Sequence, residues 1–373
     1  MNAQNDASAI TGENAPVNLK PSSARTNRET GFEILRILAI LLISCVHVMN
    51  YGGLLGNATD GIGLLTQRLL YAIFTTSVNV FVLTSAYFLV KSRFKIKKVL
   101  FLWIQVFAYT IISYLVCIII NPQEFSLQNF FFCFIPITNQ KYWFFTAYIL
   151  VYLFSPFLNL MLNNASKKSL TILVIGLFVF SWLSTRFNIA SVASISSGYS
   201  VIWFIMLYIV GGYLRLYPPR IKKIWVFCVY LACTLALWGM SYMTNSNFFT
   251  NLIYQSLDYN TPLVLLASAC LILLFRDIRI KNETVHRIIC FVSSCSFGIY
   301  LFQESHIKPY IYFNILHVES AYGSPWSACY VLLFALGIFA MGFAVEIIRK
   351  LIVGLSKKAI TKIKGKLSSR PKE

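Results

Sequence analysis

Three ionisable side chains stand in the first long apolar run of the chain, "GFEILRILAILLISCVHVMNYGG" (31–53): Glu33, Arg36 and His47. Arg36 and His47 are eleven residues apart. On an α-helix that is about three turns plus roughly 20°, and about 16 Å along the axis, so both lie on one stripe. Glu33, three residues before Arg36, is within pairing reach of it. An Arg or Asp at the middle of a spanning helix costs roughly 2.5–3.5 kcal/mol on insertion scales, so the stripe is expected to face a protein interior or a water-filled cavity. The chemistry on offer is proton transfer and anion binding. Histidine is the side chain best suited to move a proton near neutral pH, and a cation such as Arg36 can hold a phosphate. The blander alternative has Arg36 reaching back to the headgroups, since it sits within two turns of the run's start, and His47 satisfying a local hydrogen bond.

Spanning helices must position these residues. Hydrophobic residues make up 57% of the chain and charged residues 12%, with a mean hydropathy of +0.67. A soluble domain has about 45–50% and about 25%, so the composition describes an all-α, polytopic integral membrane protein. A span needs about 20 mostly apolar residues. Ten stretches qualify, at about 32–51, 69–90, 99–120, 142–162, 170–186, 197–214, 224–243, 261–275, 289–305 and 326–348. The run 125–137 is too short and contains Pro136, so an interfacial or re-entrant piece is expected there. No pair of broken helices at matching positions, the mark of inverted-repeat transporters, is evident.

Strict alternation with a cytoplasmic N-terminus puts 27 of the 32 Lys and Arg residues on the cytoplasmic side. Only Arg68, Lys141, Arg186 and Lys308 fall outside. The positive-inside rule therefore places both termini in the cytoplasm. It also accounts for the net charge of +19 through contact with anionic lipid, without nucleic acid. Residues 1–30, polar and without apolar periodicity, read as a disordered cytoplasmic tail and not a signal peptide. Residues 351–373 read as a basic cytoplasmic tail. The nine cysteines lie mostly in apolar runs, as packing residues, and no pair has the spacing of a metal site.

Several stretches together resemble the membrane acyltransferase family 3. They are the Arg–ten residues–His pattern of the first span, "NVFVLTSAYFL" (79–89), "KYWFFTAYILVYLFSPFLN" (141–159), "YIVGGYL" (208–214) and "SFGIYLF" (296–302). The resemblance covers about 30–350, so 31–350 would be the membrane domain. It implies a bacterial plasma-membrane O-acyltransferase. Such an enzyme moves an acyl group, usually acetyl from acetyl-CoA, to a hydroxyl of a surface polysaccharide or its lipid-linked precursor. His47 would then be the catalytic base and Arg36 the other half of the motif, with acetyl-CoA as a substrate and no bound cofactor or metal. The chain departs from the family at "KSRFKIKK" (91–98), where Lys95 and Lys98 stand for a usual Arg-x-x-Arg. It also has Ala86 in place of a Gly and Gln303 in place of a His.

Donor phosphates would meet Arg36, Arg93, Lys95 and Lys98. The same charges also serve a positive-inside loop. Glu304 is a candidate carboxylate for orienting His47 and equally an interfacial surface residue. Ser85 and Trp143 are among the candidate oxyanion donors, although a hydroxyl on a span more often bonds its own helix. His286 is expected to be solvated, and His306 and His317 to lie in an outer segment. The competing reading is a transporter or flippase of lipid-linked glycans, which would not require His47 in register with Arg36.

Overall fold

The computed structural model describes residues 29–57, 61–135, 142–186, 196–242 and 257–368. The described residues form helices and no strand. In chain order these are α1 (Thr30–Asn50), α2 (Ile62–Phe74), α3 (Ser77–Leu89), α4 (Ile96–Ile120), α5 (Leu127–Phe132), α6 (Trp143–Asn164), α7 (Lys167–Arg186), α8 (Val201–Leu216), α9 (Lys223–Met240), α10 (Pro262–Phe275), α11 (Glu283–Ser293), α12 (Ser296–Gln303), α13 (Lys308–Tyr310) and α14 (Ser327–Ser368). A π-helical turn, Ile311–Ile315, continues α13. Among the described residues, eight helical segments are long and apolar enough to cross a membrane, two of them formed by α2 with α3 and by α11 with α12. The shorter apolar helices α8 and α10 occupy two further expected spans. The chain is a multi-pass membrane protein.

Two of the expected spans change. The span expected at 69–90 is two helices meeting at Thr75–Thr76, and the one at 289–305 begins at Glu283 and breaks at Ser294–Cys295. Hydroxyls take over at both breaks. Thr76 donates to the Ile73 carbonyl at 2.8 Å, and Ser294 to that of Phe291 at 2.6 Å. Side-chain substitution of this kind lets a spanning helix be interrupted without Gly or Pro. Pro156 inside α6 is tolerated likewise: Ser155 donates to the Tyr152 carbonyl that the proline leaves without its usual donor. Of the expected N-terminal tail only Glu29 and Thr30 are described, and Thr30 already opens α1. Beyond residue 350 the backbone stays helical through α14. Near 125–137, α5 is a short helix capped by Ser126, with Phe131 exposed. Pro136 lies outside the described residues.

The helix ends fall on two faces. On the face carrying Arg36, the Gly31 amide donates to the Ile278 carbonyl at 3.2 Å, and Asn163 donates to that of Val90 at 3.2 Å. On the face nearer His47, Arg68 donates to the Ser241 carbonyl at 2.8 Å and Tyr322 to that of Gly52 at 2.6 Å. α1 is the central post, with Phe32, Leu35, Ala39 and Ile40 fully buried. Its entry needs Gly31, because a Cβ there would run into the Phe275 carbonyl. α3 and α8 approach as closely through Gly211, whose missing Cβ makes room for Ala86 and the Leu83 carbonyl. The small residue of the "YIVGGYL" stretch thus compensates for alanine at 86.

Candidate active site around His47

His47 is on the last turn of α1, and Gln303 and Glu304 end α12 beside it. His47 Nδ1 lies 2.9 Å from Gln303 Oε1, and Nε2 lies 3.3 Å from Glu304 Oε1. Gln303 Nε2 donates to Ser44 Oγ at 2.7 Å, and Ser44 donates in turn to the Ile40 carbonyl at 3.0 Å. This chain orients the amide. With its nitrogen on Ser44, Gln303 offers only its oxygen to His47, so Nδ1 carries a hydrogen and Nε2 is the nitrogen that faces Glu304.

Glu304 is 2% exposed, not an interfacial surface residue. Its carboxylate also accepts from Tyr51 at 3.1 Å and pairs with Lys308 at 3.1 Å. The Lys308 ammonium stands 3.4 Å over the Tyr51 ring.

α12 is held in place from behind. Glu346 of α14, 1% exposed, accepts two bonds from Arg349 at 2.7 and 2.6 Å and one from Tyr109 of α4 at 2.8 Å. Its carboxylate fills the space that a Cβ would occupy at Gly298. The glycine of "SFGIYLF" therefore lets α12 close on α14, which sets where Gln303 and Glu304 stand.

His47 lines a cavity of about 620 Å³ that includes space open to solvent. Its walls are mostly aromatic: Tyr51, Phe81, Trp143, Phe144, Tyr199 and Tyr300 are among them. Trp143 packs against Tyr199 with centroids 4.4 Å apart. At the deep end are Ile40, Phe81 and Phe144. One helical turn further, towards the other face, stand Arg36 on α1, Ser85 on α3 and Tyr148 on α6. Tyr148 lies beside Ser85 and within electrostatic reach of Arg36. The cavity thus stops about one turn, some 6 Å, short of Arg36.

Arg36 bonds Glu33 at 2.9 Å and lies 5.5 Å from the Phe88 ring centroid. Arg215 of α8 approaches the same ring at 6.0 Å and Tyr87 at 4.8 Å. Lys98 is within reach of Lys95 and Arg36, and lies 5.9 Å from the Tyr152 ring. The Lys95 amide donates to the Tyr152 hydroxyl at 3.1 Å. Arg36, Arg215, Lys95 and Lys98 therefore make one basic cluster. Arg93 is exposed, and no partner for it is seen among the described residues.

Of the residues singled out in the sequence, His47 and Trp143 line the cavity, with Glu304 against His47, while Arg36, Glu33, Lys95 and Lys98 meet on the basic face. Ser85 bonds its own helix through the Phe81 carbonyl at 3.0 Å. His286 is partly buried, with Nδ1 2.8 Å from the Thr30 hydroxyl, not solvated. Sequence reasoning missed Gln303, Ser44, Tyr51, Lys308 and Arg215. Tyr51 and Lys308 carried a signal: each stands four residues after a site residue, His47 and Glu304, the spacing of one helical turn.

No curated protein and no solved structure matches the chain. The model of acyltransferase family 3, described as an acyltransferase domain, matches residues 29–349, from the entry of α1 through the Glu346–Arg349 pair. The chain belongs to acyltransferase family 3 and is a membrane acyltransferase.

Proposed function

We propose that this acyltransferase moves an acetyl group from cytoplasmic acetyl-CoA to a sugar hydroxyl of a bacterial surface polysaccharide or its lipid-linked precursor. In this reading it sits in the plasma membrane with its basic face and both termini in the cytoplasm. The observation that carries it is His47 oriented through Nδ1 by Gln303, with Glu304 at Nε2, beside an aromatic cavity that ends one turn from a basic cluster. Aromatic walls suit the apolar faces of a sugar ring, and a few fixed polar groups set its orientation.

His47 Nε2 takes the proton of the acceptor hydroxyl as its oxygen attacks the thioester carbon. A positioned general base contributes typically 10²–10⁴-fold. Glu304 balances the charge that the ring gains. As the carbon–sulfur bond breaks, the imidazolium returns the proton to the leaving thiolate. The roles differ from a serine-protease triad, in which the carboxylate sits at the nitrogen away from the reaction. Here an amide orients that nitrogen and the carboxylate sits at the reacting one. Arg36, Arg215, Lys95 and Lys98 hold the donor's phosphates, and the pantetheine arm reaches through the turn between Arg36 and the cavity.

The test is transfer in sealed inside-out vesicles, with labelled acetyl-CoA outside and glycan in the lumen. Glycan labelling in the wild type and its loss in His47→Asn at equal membrane abundance are expected. Near-normal labelling in His47→Asn would return the histidine to a packing role. Labelling only when donor and acceptor share the cytoplasmic side would remove the passage and keep the transfer.

A further inference from the structure

A second cavity, of about 670 Å³ with its open space, lies on the face nearer His47, between the end of α4 and the α13 region. Four polar side chains line it, Asn121, Glu124, His306 and Asn314, with the rings of Tyr310 and Phe313. We propose that it is a second saccharide subsite, which holds an uncharged sugar unit of the acceptor next to the unit acylated at His47. The proposal rests on the saccharide acceptor read above and names where the rest of that acceptor binds.

Both walls are built in advance. Ser113 Oγ donates to the Thr110 carbonyl at 3.1 Å, so it accepts from His306, whose Nδ1 is 3.2 Å away and whose backbone amide is 3.4 Å away. The His306 ring also packs against Tyr114, with centroids 5.1 Å apart. Tyr114 ties down the opposite wall as well. Its hydroxyl donates to the Ser126 carbonyl and accepts from the Ser126 amide, both at 2.8 Å, which fixes the turn carrying Asn121 and Glu124. Phe313 and Asn314 come from the π-helical turn, a geometry that recurs at functional sites. A membrane-interface belt accounts for Tyr310 and Phe313. It does not account for a histidine fixed by two bonds, nor for a carboxylate and two amides around one space.

The chemistry selects the ligand. A carboxylate accepts from sugar hydroxyls, amides both donate and accept, and rings cover the apolar face of a pyranose. Glu124 is the carboxylate of this cavity and disfavours a phosphate or an acidic sugar. The position fits one continuous acceptor. His306 follows Glu304 by two residues, so their Cα atoms are at most about 7.6 Å apart, and Glu304 contacts His47.

The test uses de-acylated fragments released from the cell's own surface polysaccharide, separated by size, and full-length protein carrying His47→Asn, so that binding is measured without turnover. The longer fragments should bind at least tenfold more weakly when Glu124→Ala and Asn314→Ala are added, while the single-unit fraction binds both proteins alike. Both positions are exposed, and thermal unfolding checks that the fold is kept. Equal affinity of the long fragments for the two proteins would overturn the subsite and leave the proposed transfer standing. Fragment binding that the two substitutions weaken, in a protein whose wild type transfers nothing to saccharide, would support the subsite and refute the transfer.

Discussion

Replacing Glu304 by Gln keeps the shape of the side chain and removes one charge 3.3 Å from His47 Nε2. At an effective dielectric near 20, an imidazolium and a carboxylate at that distance attract by about 5 kcal/mol. Part of this is recovered after the substitution. The amide oxygen still presents a dipole, and Lys308, 21% exposed, can turn to solvent. A net loss of about 3–4 kcal/mol in the transition state corresponds to roughly 10²–10³-fold in kcat. The donor's KM should stay the same, because the basic cluster is on the other face. Glu304→Asp, which keeps the charge at a longer reach, should recover part of the rate. The assay is initial-rate transfer from labelled acetyl-CoA in vesicles with matched protein abundance. A kcat within threefold of wild type would refute the assignment of Glu304. A rise in kcat would mean that the carboxylate holds a resting imidazolium, and the basic nitrogen would have to be sought elsewhere.

Two further outcomes follow from the geometry. Arg215→Ala should raise the apparent KM for acetyl-CoA about tenfold with little change in kcat, as should Lys95 and Lys98 replaced together by Gln, because remote phosphate contacts contribute uniform binding; Arg93→Ala should leave it unchanged, and equal effects at all these positions would mean that the charges serve topology alone. Gly298→Ala should cost about 1–3 kcal/mol through overpacking against Glu346, read as a lower Tm in detergent together with lost transfer, whereas Gly176→Ala, with open space at its Cβ, should change neither.

Local chemistry is legible in the sequence. The Arg36–His47 stripe follows from helical arithmetic, and the positions of the apolar helices follow from hydropathy. What the sequence hides depends on contacts between distant segments. Gln303 is 256 residues from His47, and as a departure from the family's usual histidine it looks like a weakness of the assignment. In place, it is the residue that orients the imidazole. Arg215 sits where any basic residue satisfies the positive-inside rule, so its type and position carry no separate signal without Tyr87 and Phe88 beneath it. The breaks at Thr75–Thr76 and Ser294–Cys295 escape a hydropathy reading because hydroxyls, not Gly or Pro, interrupt the helices. The second carboxylate–arginine pair, Glu346 with Arg349, lies at the end of the last apolar run, where the chain already turns basic.

The rings at the deep end of the cavity have a consequence for the cell's energy supply. A passage for a thioester, if it stayed open and wet, would also conduct ions, and each charge crossing a potential of 100 mV dissipates about 2.3 kcal/mol. Phe81 and Phe144 meet edge to face at 5.6 Å, and Phe144 stacks on Tyr148 at 6.1 Å. These ring faces offer an ion no polar ligands to replace its hydration shell, so under the proposed transfer they close the passage at rest. Under the proposed transfer, the rings part only for the pantetheine arm, and the arm fills the gap it makes. The donor is its own stopper. In that transfer the proton taken from the hydroxyl leaves on the neutral thiol, so no net charge crosses the membrane in a turnover and the membrane potential neither drives nor opposes acylation.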